Sequence, residues 1–238
     1  IMVAVKNNHS IDKLVICSKL FNNKFDNSSL IDAVKQSGAT VIEVPEMVFD
    51  KVGSSDNPTG LAAVSLLNRK YLKGYKSIKQ GLYIAAESIE QPHNLGAIIR
   101  LADNAGANAV LVCNMKADLY DTETIRSSFG TAFCVDTLLC SSEEAIKWCK
   151  DNKIKILATS PGGSVNYTEV NLRDSVVIVM GAEHGGLASD WLSNADVKIK
   201  IPMRGQANSL SVSASAAIVL YEALRQRSVV SSSLRTSQ

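Results

Sequence analysis

The sequence lacks a long apolar run, a metal-ligand pattern and a strong excess of charge of either sign. Its apolar stretches, such as Val176–Met180, are far too short to cross a bilayer, and no charged segment followed by an apolar one opens the chain. The three His are scattered, and the five Cys show no CxxC or Cys/His spacing. We therefore expect a cytoplasmic protein with reduced thiols, no metal and no membrane segment.

A second absence concerns nucleotide cofactors. No GxGxxG follows the first strand of the C-terminal half, which disfavours a nicotinamide dehydrogenase of the usual kind. The glycines cluster later, at Gly181, Gly185 and Gly186, immediately after an apolar strand. The stretch from Gly181 to Ala217 holds two loops with exposed main chain, about twenty residues apart, and is suited to gripping a flat, polar small molecule.

The chain of 238 residues is long enough for two domains. The first 67 residues read as a small α/β unit, in which Ser28 or Ser29 caps the first helix. Its predicted elements are strands at Lys13–Cys17, Thr40–Val44 and Leu61–Leu67 and helices at Leu30–Ser37 and Glu46–Val52.

From Gly81 onward, strands alternate with helices, which predicts an α/β domain with a largely parallel sheet. The predicted strands are Leu82–Ala86, Ala109–Cys113, Phe133–Thr137, Ile154–Thr159 and Val176–Met180, with a further strand end at Ile201–Met203. The predicted helices are Leu95–Ala105, Thr122–Ser128, Glu143–Asp151 and Ser211–Arg227.

Between the two units lies a basic segment, residues 68–80, that contains no acidic residue. Its cations are Arg69, Lys70, Lys73, Lys76 and Lys79, and Tyr71 and Tyr75 are interleaved with them. Such a segment suits contacts with phosphates and stacking on bases. A solvated interdomain connector is an equally good interpretation, and both stay open here.

Four segments of the C-terminal half resemble the SpoU (TrmH) family of RNA ribose methyltransferases, within the knotted SPOUT superfamily. Asn94–Arg100 (NLGAIIR) resembles the first family motif, and Met180–Leu187 (MGAEHGGL) resembles the second. Ile201–Met203 followed by Asn208–Ser213 (NSLSVS) resembles the third, and Arg126–Gly130 (RSSFG) matches a further signature. Order and spacing agree from about Gly81 to Arg227.

The resemblance implies a domain organisation. Residues 1–67 are similar to the ribosomal-protein-like domain with which many rRNA-directed members bind substrate, residues 68–80 form a linker, and residues 81–238 form the methyltransferase domain. The family further implies a deep trefoil knot at the C-terminal end, which no pattern in the residues reveals. It also implies a homodimer with sites at the subunit interface and S-adenosylmethionine as cofactor, without a metal.

The resemblance also assigns roles to residues. It implies Arg100, Asn94, Glu183, Ser209 and Ser211 as the catalytic set. Arg100 is the residue we expect to orient the ribose 2′-hydroxyl and to stabilise its developing charge, since a guanidinium is a poor proton acceptor.

Around Arg100, the absence of a side chain at Gly96, four residues earlier on the same helix face, predicts that phosphate or sugar can approach the helix N-terminus there. Asn94 is suited both to capping the helix and to holding the loop of Arg100.

For the cofactor, the family implies contacts at Gly181, Ile201 and Leu210, with Met203 and Ser209 as neighbours. For RNA, the expected contacts are Arg69, Lys70, Lys73, Lys76 and Arg126.

One residue departs from the family pattern. The third motif usually reads Asn-Ser-Leu-Asn, and here Ser211 stands at the second Asn. Ser keeps a donor and an acceptor but is shorter and lacks the amide fork, which puts reaction rate or substrate choice in question.

These observations predict S-adenosylmethionine-dependent 2′-O-ribose methylation of RNA, with rRNA favoured over tRNA because of the N-terminal unit. The alternatives are a tRNA 2′-O-methyltransferase and a non-catalytic RNA-binding homologue that acts in ribosome assembly. Only Ser211 supports the latter.

Overall fold

The chain folds into two compact units, residues Ile1–Asn68 and Arg69–Gln238. The computed structural model describes residues 1–21, 26–52, 59–66 and 68–233, and side chains up to residue 228. Most of the turn preceding Leu61, from which part of the resemblance of the first unit derives, lies outside the described residues.

The first unit is the predicted small α/β unit, built on a three-stranded sheet in the order β2-β1-β3. Its elements are α1 (Met2–Lys6), β1 (Ile11–Ile16), α2 (Asn27–Gln36), β2 (Thr40–Glu43), α3 (Glu46–Val52) and β3 (Leu61–Ser65). Leu14 and Val34 are buried in one core and Phe49 in another. Asp26, rather than either predicted serine, caps α2, since its side chain accepts a hydrogen bond from the amide of Ser29 at 3.0 Å.

The second unit is an eight-stranded sheet in the order β4-β7-β6-β5-β10-β8-β11-β9, and every pairing in it is parallel. Its strands are β4 (Lys70–Tyr71), β5 (Leu82–Glu87), β6 (Ala109–Cys113), β7 (Asp136–Cys140), β8 (Lys155–Thr159), β9 (Val165–Asn166), β10 (Val176–Met180) and β11 (Val197–Lys200). Its helices are α4 (Pro92–Asn104), α5 (Thr122–Ser127), α6 (Ser142–Asp151), α7 (Ser189–Asn194) and α8 (Val212–Ser233). The predicted parallel α/β architecture is confirmed.

The composition of the central strands explains this arrangement. β5, β6 and β10 are buried along their whole length, as expected of parallel strands covered on both faces. Residues from α4 and α8, such as Ile98 and Leu220, pack in one core. The other core contains Cys149 of α6 and Trp191 of α7.

The basic segment is not a free connector. Lys70–Tyr71 forms β4, which pairs with Leu138–Leu139 at the edge of the large sheet. Leu72 is 3% exposed, and the carbonyl of Tyr75 accepts a hydrogen bond from the indole of Trp148 at 3.1 Å. The apolar residues between the cations therefore anchor this segment to the second unit, which begins at Arg69.

Two predicted strands differ from the structure. Phe133 lies in a 3₁₀ turn after Gly130, whose φ of +84° is left-handed, so that β7 begins only at Asp136. The strand expected to end at Ile201–Met203 is β11, which ends at Lys200, and these three residues lie in the following loop. In the part of the chain that the structure describes, no helix is long and apolar enough to span a membrane.

Candidate active site

A cavity of about 400 Å³ opens in the second unit where parallel strands end. Thr159 ends β8, Met180 ends β10, and Ile201 follows the last residue of β11, and all three line the cavity. The cavity is also lined by the loop before α8 and by the first turn of α8, at Val212 and Ser215. Ligands in parallel α/β sheets bind at this edge, beyond the carboxyl ends of the strands.

The loop that follows β10 exposes its main chain to the cavity because of its glycines. A Cβ atom at Gly181 would lie 2.6 Å from the carbonyl oxygen of Gly186, so only glycine fits there. Gly185 and Gly186 have φ values of +94° and +68°, which favour glycine. The amide of Ala182 donates to the carbonyl of Gly186 at 3.1 Å and closes the loop.

All the residues predicted to contact a cofactor line this one cavity. They are Gly181, Ile201, Met203, Ser209 and Leu210. Thr159 also lines it, and sequence reasoning missed this residue. Its Oγ1 is buried and has no hydrogen-bond partner among the described residues. A polar ligand in the cavity would supply the missing partner.

Glu183 ties the glycine-rich loop to the N-terminal end of α4. Its carboxylate accepts hydrogen bonds from the amides of Glu90 and Gln91, at 3.0 and 3.3 Å, and from Nδ2 of Asn94 at 2.8 Å. Burial opposes its ionisation, but these hydrogen bonds prevail and lower the pKa of the carboxyl group. Glu183 is therefore an acceptor that fixes two segments together.

The hydrogen bonds continue from Asn94 into the last helix. Oγ of Ser213 donates to Oδ1 of Asn94 at 3.0 Å and lies 3.3 Å from Oγ of Ser211. Oγ of Ser211 in turn accepts from the amide of Ala214 at 3.2 Å, which makes Ser211 the N-terminal cap of α8. Ser and Asn are both good caps, so the departure from the family pattern preserves this function.

Arg100 lies outside the cavity. It is exposed on α4, and its Cζ lies 4.1 Å from the ring centroid of Phe129. The predicted role of Gly96 on the same helix is wrong: Gly96 is buried, and a Cβ atom there would collide with Thr124 and Ser127 of α5. Gly96 thus allows two helices to pack closely and leaves no room for a phosphate.

Comparison with known proteins places this geometry in a family. Residues 81–221 match the model of the SpoU rRNA Methylase family. The chain belongs to that family.

Three relatives indicate how far the likeness extends. A crystal structure of an RNA 2′-O ribose methyltransferase is 38% identical, with a TM-score of 0.80, over 95% of this chain and 85% of its own. The AdoMet-bound rRNA methyltransferase from Sinorhizobium meliloti is 28% identical, with a TM-score of 0.84, over 94% of this chain and 83% of its own. The 23S rRNA (uridine(2479)-2′-O)-methyltransferase of Streptomyces viridochromogenes is 28% identical, and the match spans 77% of this chain and 66% of that protein.

Sequence reasoning also missed a buried acid that holds the segment directly after Leu187, a residue that lines the cavity. Glu87, at the end of β5, is 3% exposed. Its carboxylate accepts from the amide of Ala188 at 3.0 Å and from Oγ of Ser142 at 3.2 Å, and that hydroxyl accepts from the indole of Trp191. The sequence does contain a signal for this residue, namely an acid at the end of an otherwise apolar strand.

Two of the basic residues predicted to contact RNA are paired with acidic side chains. Arg69 pairs with Asp118 at 2.9 Å, and Lys70 pairs with Asp136 at 2.6 Å. Lys73, Lys76 and Arg126 are exposed. Lys76 lies next to Ser77, whose hydroxyl donates to Asn152 near the start of β8, at the edge of the sheet opposite the cavity.

Among the described residues, no cluster of three or more His, Cys, Asp or Glu could hold a metal ion. The candidate site consists of main-chain groups, apolar side chains, hydroxyls, side-chain amides and the tethered carboxylate of Glu183.

Proposed function

We propose that this chain transfers a methyl group from S-adenosylmethionine to a ribose 2′-hydroxyl of rRNA. The observation that carries the proposal is the convergence of three separate segments, Met180–Leu187, Ile201–Leu210 and the start of α8, on one cavity. A sulfonium cofactor supplies an already activated methyl group, so that the protein has to bind and orient.

The cavity fits such a cofactor in size and chemistry. A volume of about 400 Å³ is within the range of small-molecule sites. Gly181, Ile201 and Leu210 would hold the cofactor through main-chain and apolar contacts, and Thr159 offers a hydroxyl that lacks a partner.

Arg100 is the proposed catalytic residue. Its guanidinium would hold the ribose oxygen and stabilise the negative charge that develops on this oxygen as the hydroxyl proton passes to solvent water. Among the described residues, no hydrogen bond or ion pair occupies Arg100, so its donors are available for substrate. Glu183 is a poor candidate for a base, because three donors already engage its carboxylate.

The position of Arg100 outside the cavity of its own chain supports a homodimer in which Arg100 completes the site of the partner subunit. Exposed apolar side chains are available for such an interface, among them Tyr221 of α8, Met203 and Leu210. In this proposal the trefoil knot implied by the family holds the cavity loops together.

Ribosomal RNA is the substrate we favour. The relatives from S. meliloti and S. viridochromogenes are named for rRNA, and the former matches almost the whole chain, including most of the first unit. We assign rRNA binding to the first unit. Exposed Lys73, Lys76 and Arg126 are the proposed phosphate contacts of the second unit, and a cytoplasmic location follows from this substrate.

A transfer assay with tritiated S-adenosylmethionine on purified rRNA and tRNA tests the proposal. We expect label in rRNA, and loss of label with Arg100→Ala at unchanged cofactor affinity. Label in tRNA alone would overturn the choice of substrate. Absence of cofactor binding by calorimetry would favour the alternative of a non-catalytic RNA-binding homologue.

A further inference from the structure

Helix α5 ends in a backbone conformation that glycine normally supplies. The amide of Phe129 donates to the carbonyl of Arg126 at 3.0 Å, and the amide of Gly130 donates to the carbonyl of Ile125 at 3.4 Å. This pair of bonds is a Schellman motif, whose first residue past the cap adopts a left-handed conformation. Here that residue is Phe129, with φ of +54°, which is unfavourable for a bulky side chain.

Burial does not compensate for this strain, because Phe129 is 68% exposed. What the ring contacts is the guanidinium of Arg100, with Cζ 4.1 Å from the ring centroid. This distance is well within the range of a cation–π interaction. A strained and exposed aromatic residue that meets the proposed catalytic group indicates a functional constraint.

The packing of α4 on α5 fixes the distance between the two side chains. Gly96 lies at the closest approach of these helices, against Thr124 and Ser127. Arg100 is one helical turn beyond Gly96, and Phe129 is two residues beyond Ser127. Both therefore project from the same helix crossing.

An aromatic ring holds a cation in a way that a carboxylate cannot. An acidic partner would neutralise the guanidinium and occupy its N–H donors. A ring face attracts the cation and limits its rotamers while the donors in the guanidinium plane stay free for an anionic substrate.

We propose that Phe129 is a positioning residue that orients the guanidinium of Arg100 for catalysis. This inference rests on the function proposed above. It predicts that Phe129 acts on the rate of transfer and not on cofactor binding or on the affinity for RNA.

Steady-state kinetics of Phe129→Gly test this inference. Glycine suits the left-handed position, so the variant should fold with an unchanged or higher Tm. We expect kcat to fall about tenfold with KM for RNA and Kd for S-adenosylmethionine unchanged, and Phe129→Tyr to restore the rate.

Lys153→Gly is the matched control. Lys153 has φ of +55° and occupies the same position of a Schellman motif after α6. Its amide donates to the carbonyl of Lys150, and the amide of Ile154 donates to the carbonyl of Cys149. We expect no kinetic change in this variant. An unchanged kcat in Phe129→Gly would overturn the inference, and so would a rise in KM alone, which would indicate stacking of a nucleobase on the ring.

An NMR measurement separates this inference from the proposed function, since it needs no activity. We expect the δ protons of Arg100 to show an upfield ring-current shift in the wild type and to lose it in Phe129→Gly. If the wild type shows the shift but methylates no RNA, the proposed function fails while the contact stands. Absence of the shift in the wild type would refute the positioning contact itself.

Discussion

Nδ2 of Asn94 donates to Oε1 of Glu183 at 2.8 Å, across 89 residues of chain. Through this bond the helix that carries Arg100 is attached to the loop that lines the cofactor cavity. Oδ1 of the same amide accepts from Ser213, so α8 joins the network. The side chains that resemble catalytic residues of the family thus serve, in this structure, to hold three segments in register.

We predict that Glu183→Gln loosens the cavity. A glutamine would turn its NH₂ group toward donors that the carboxylate now satisfies, and a lost charged hydrogen bond costs about 1.5–3 kcal/mol. Calorimetry should show weaker binding of S-adenosylmethionine, together with a lower Tm. The control is Glu169→Gln, because Glu169 also accepts from an Asn side chain, at 2.7 Å, but lies in an exposed turn outside the cavity.

The difference in Tm between wild type and Glu183→Gln should depend on pH, and the sign of this dependence follows from the pKa of Glu183. The pKa of Glu183 is lowered from its usual 4.5 in the folded state, so its contribution is complete above the unfolded value and is lost as pH falls through the folded value. Thermal melts should show the full gap in Tm between wild type and Glu183→Gln at pH 7. The gap should shrink as pH falls below the unfolded value, and a gap that grows on acidification would contradict this assignment.

Gly181→Ala should abolish tight cofactor binding. The added methyl group would meet the backbone of Gly186, with the carbonyl oxygen 2.6 Å away, so the loop must open. Overpacking of this kind costs about 1–3 kcal/mol, which corresponds to about a tenfold loss of affinity or more. In Gly162→Ala the methyl group meets nothing within 4 Å, and calorimetry should find it equal to wild type.

Ser211 should behave as a helix cap. Ser211→Ala removes the acceptor for the amide of Ala214 and should lower the free energy of unfolding by about 1 kcal/mol, as measured by urea denaturation. Ser211→Asn should be as stable as wild type and should retain transfer activity. An inactive Ser211→Asn variant would show that the serine has a role in the reaction beyond the cap.

Complementation between Arg100→Ala and Gly181→Ala, assayed at a cofactor concentration too low for the latter to bind it, tests whether Arg100 acts across subunits. Coexpressed Arg100→Ala and Gly181→Ala chains, carrying different tags, can be purified as a heterodimer. One of its two sites would combine an intact cavity with an intact arginine, and we expect about half of the wild-type rate per dimer. A heterodimer without activity would place Arg100 and the cavity of one chain in the same site.

Local patterns in the sequence predicted much of the fold, whereas contacts over long distances in the chain did not follow from them. The apolar run Val176–Met180 was predicted to the residue, because burial acts along the whole strand. The end of the helix after Pro92 was predicted within one residue, whereas its start was placed three residues too late, because Pro92 itself begins the helix and no side chain caps it. The interpretation of the basic segment as a solvated connector was wrong, because Leu72 is buried at a sheet edge that no local pattern reveals.

The candidate site could likewise be predicted only as far as local motifs reach. Motif resemblance identified Gly181, Ile201 and Leu210, which do line one cavity. It could not show that Gly96 contacts α5 or that Thr159 has an unpartnered hydroxyl there, because both facts depend on how distant segments pack.

The most direct test of the account is the chemical position of the transferred methyl group. A ribose 2′-O-methyl group protects the adjacent phosphodiester from alkali, because the attacking hydroxyl is gone. Hydrolysis of labelled rRNA should therefore release the tritium in an alkali-resistant dinucleotide. Tritium recovered in mononucleotides or on a free base would contradict ribose methylation and, with it, the role proposed for Arg100.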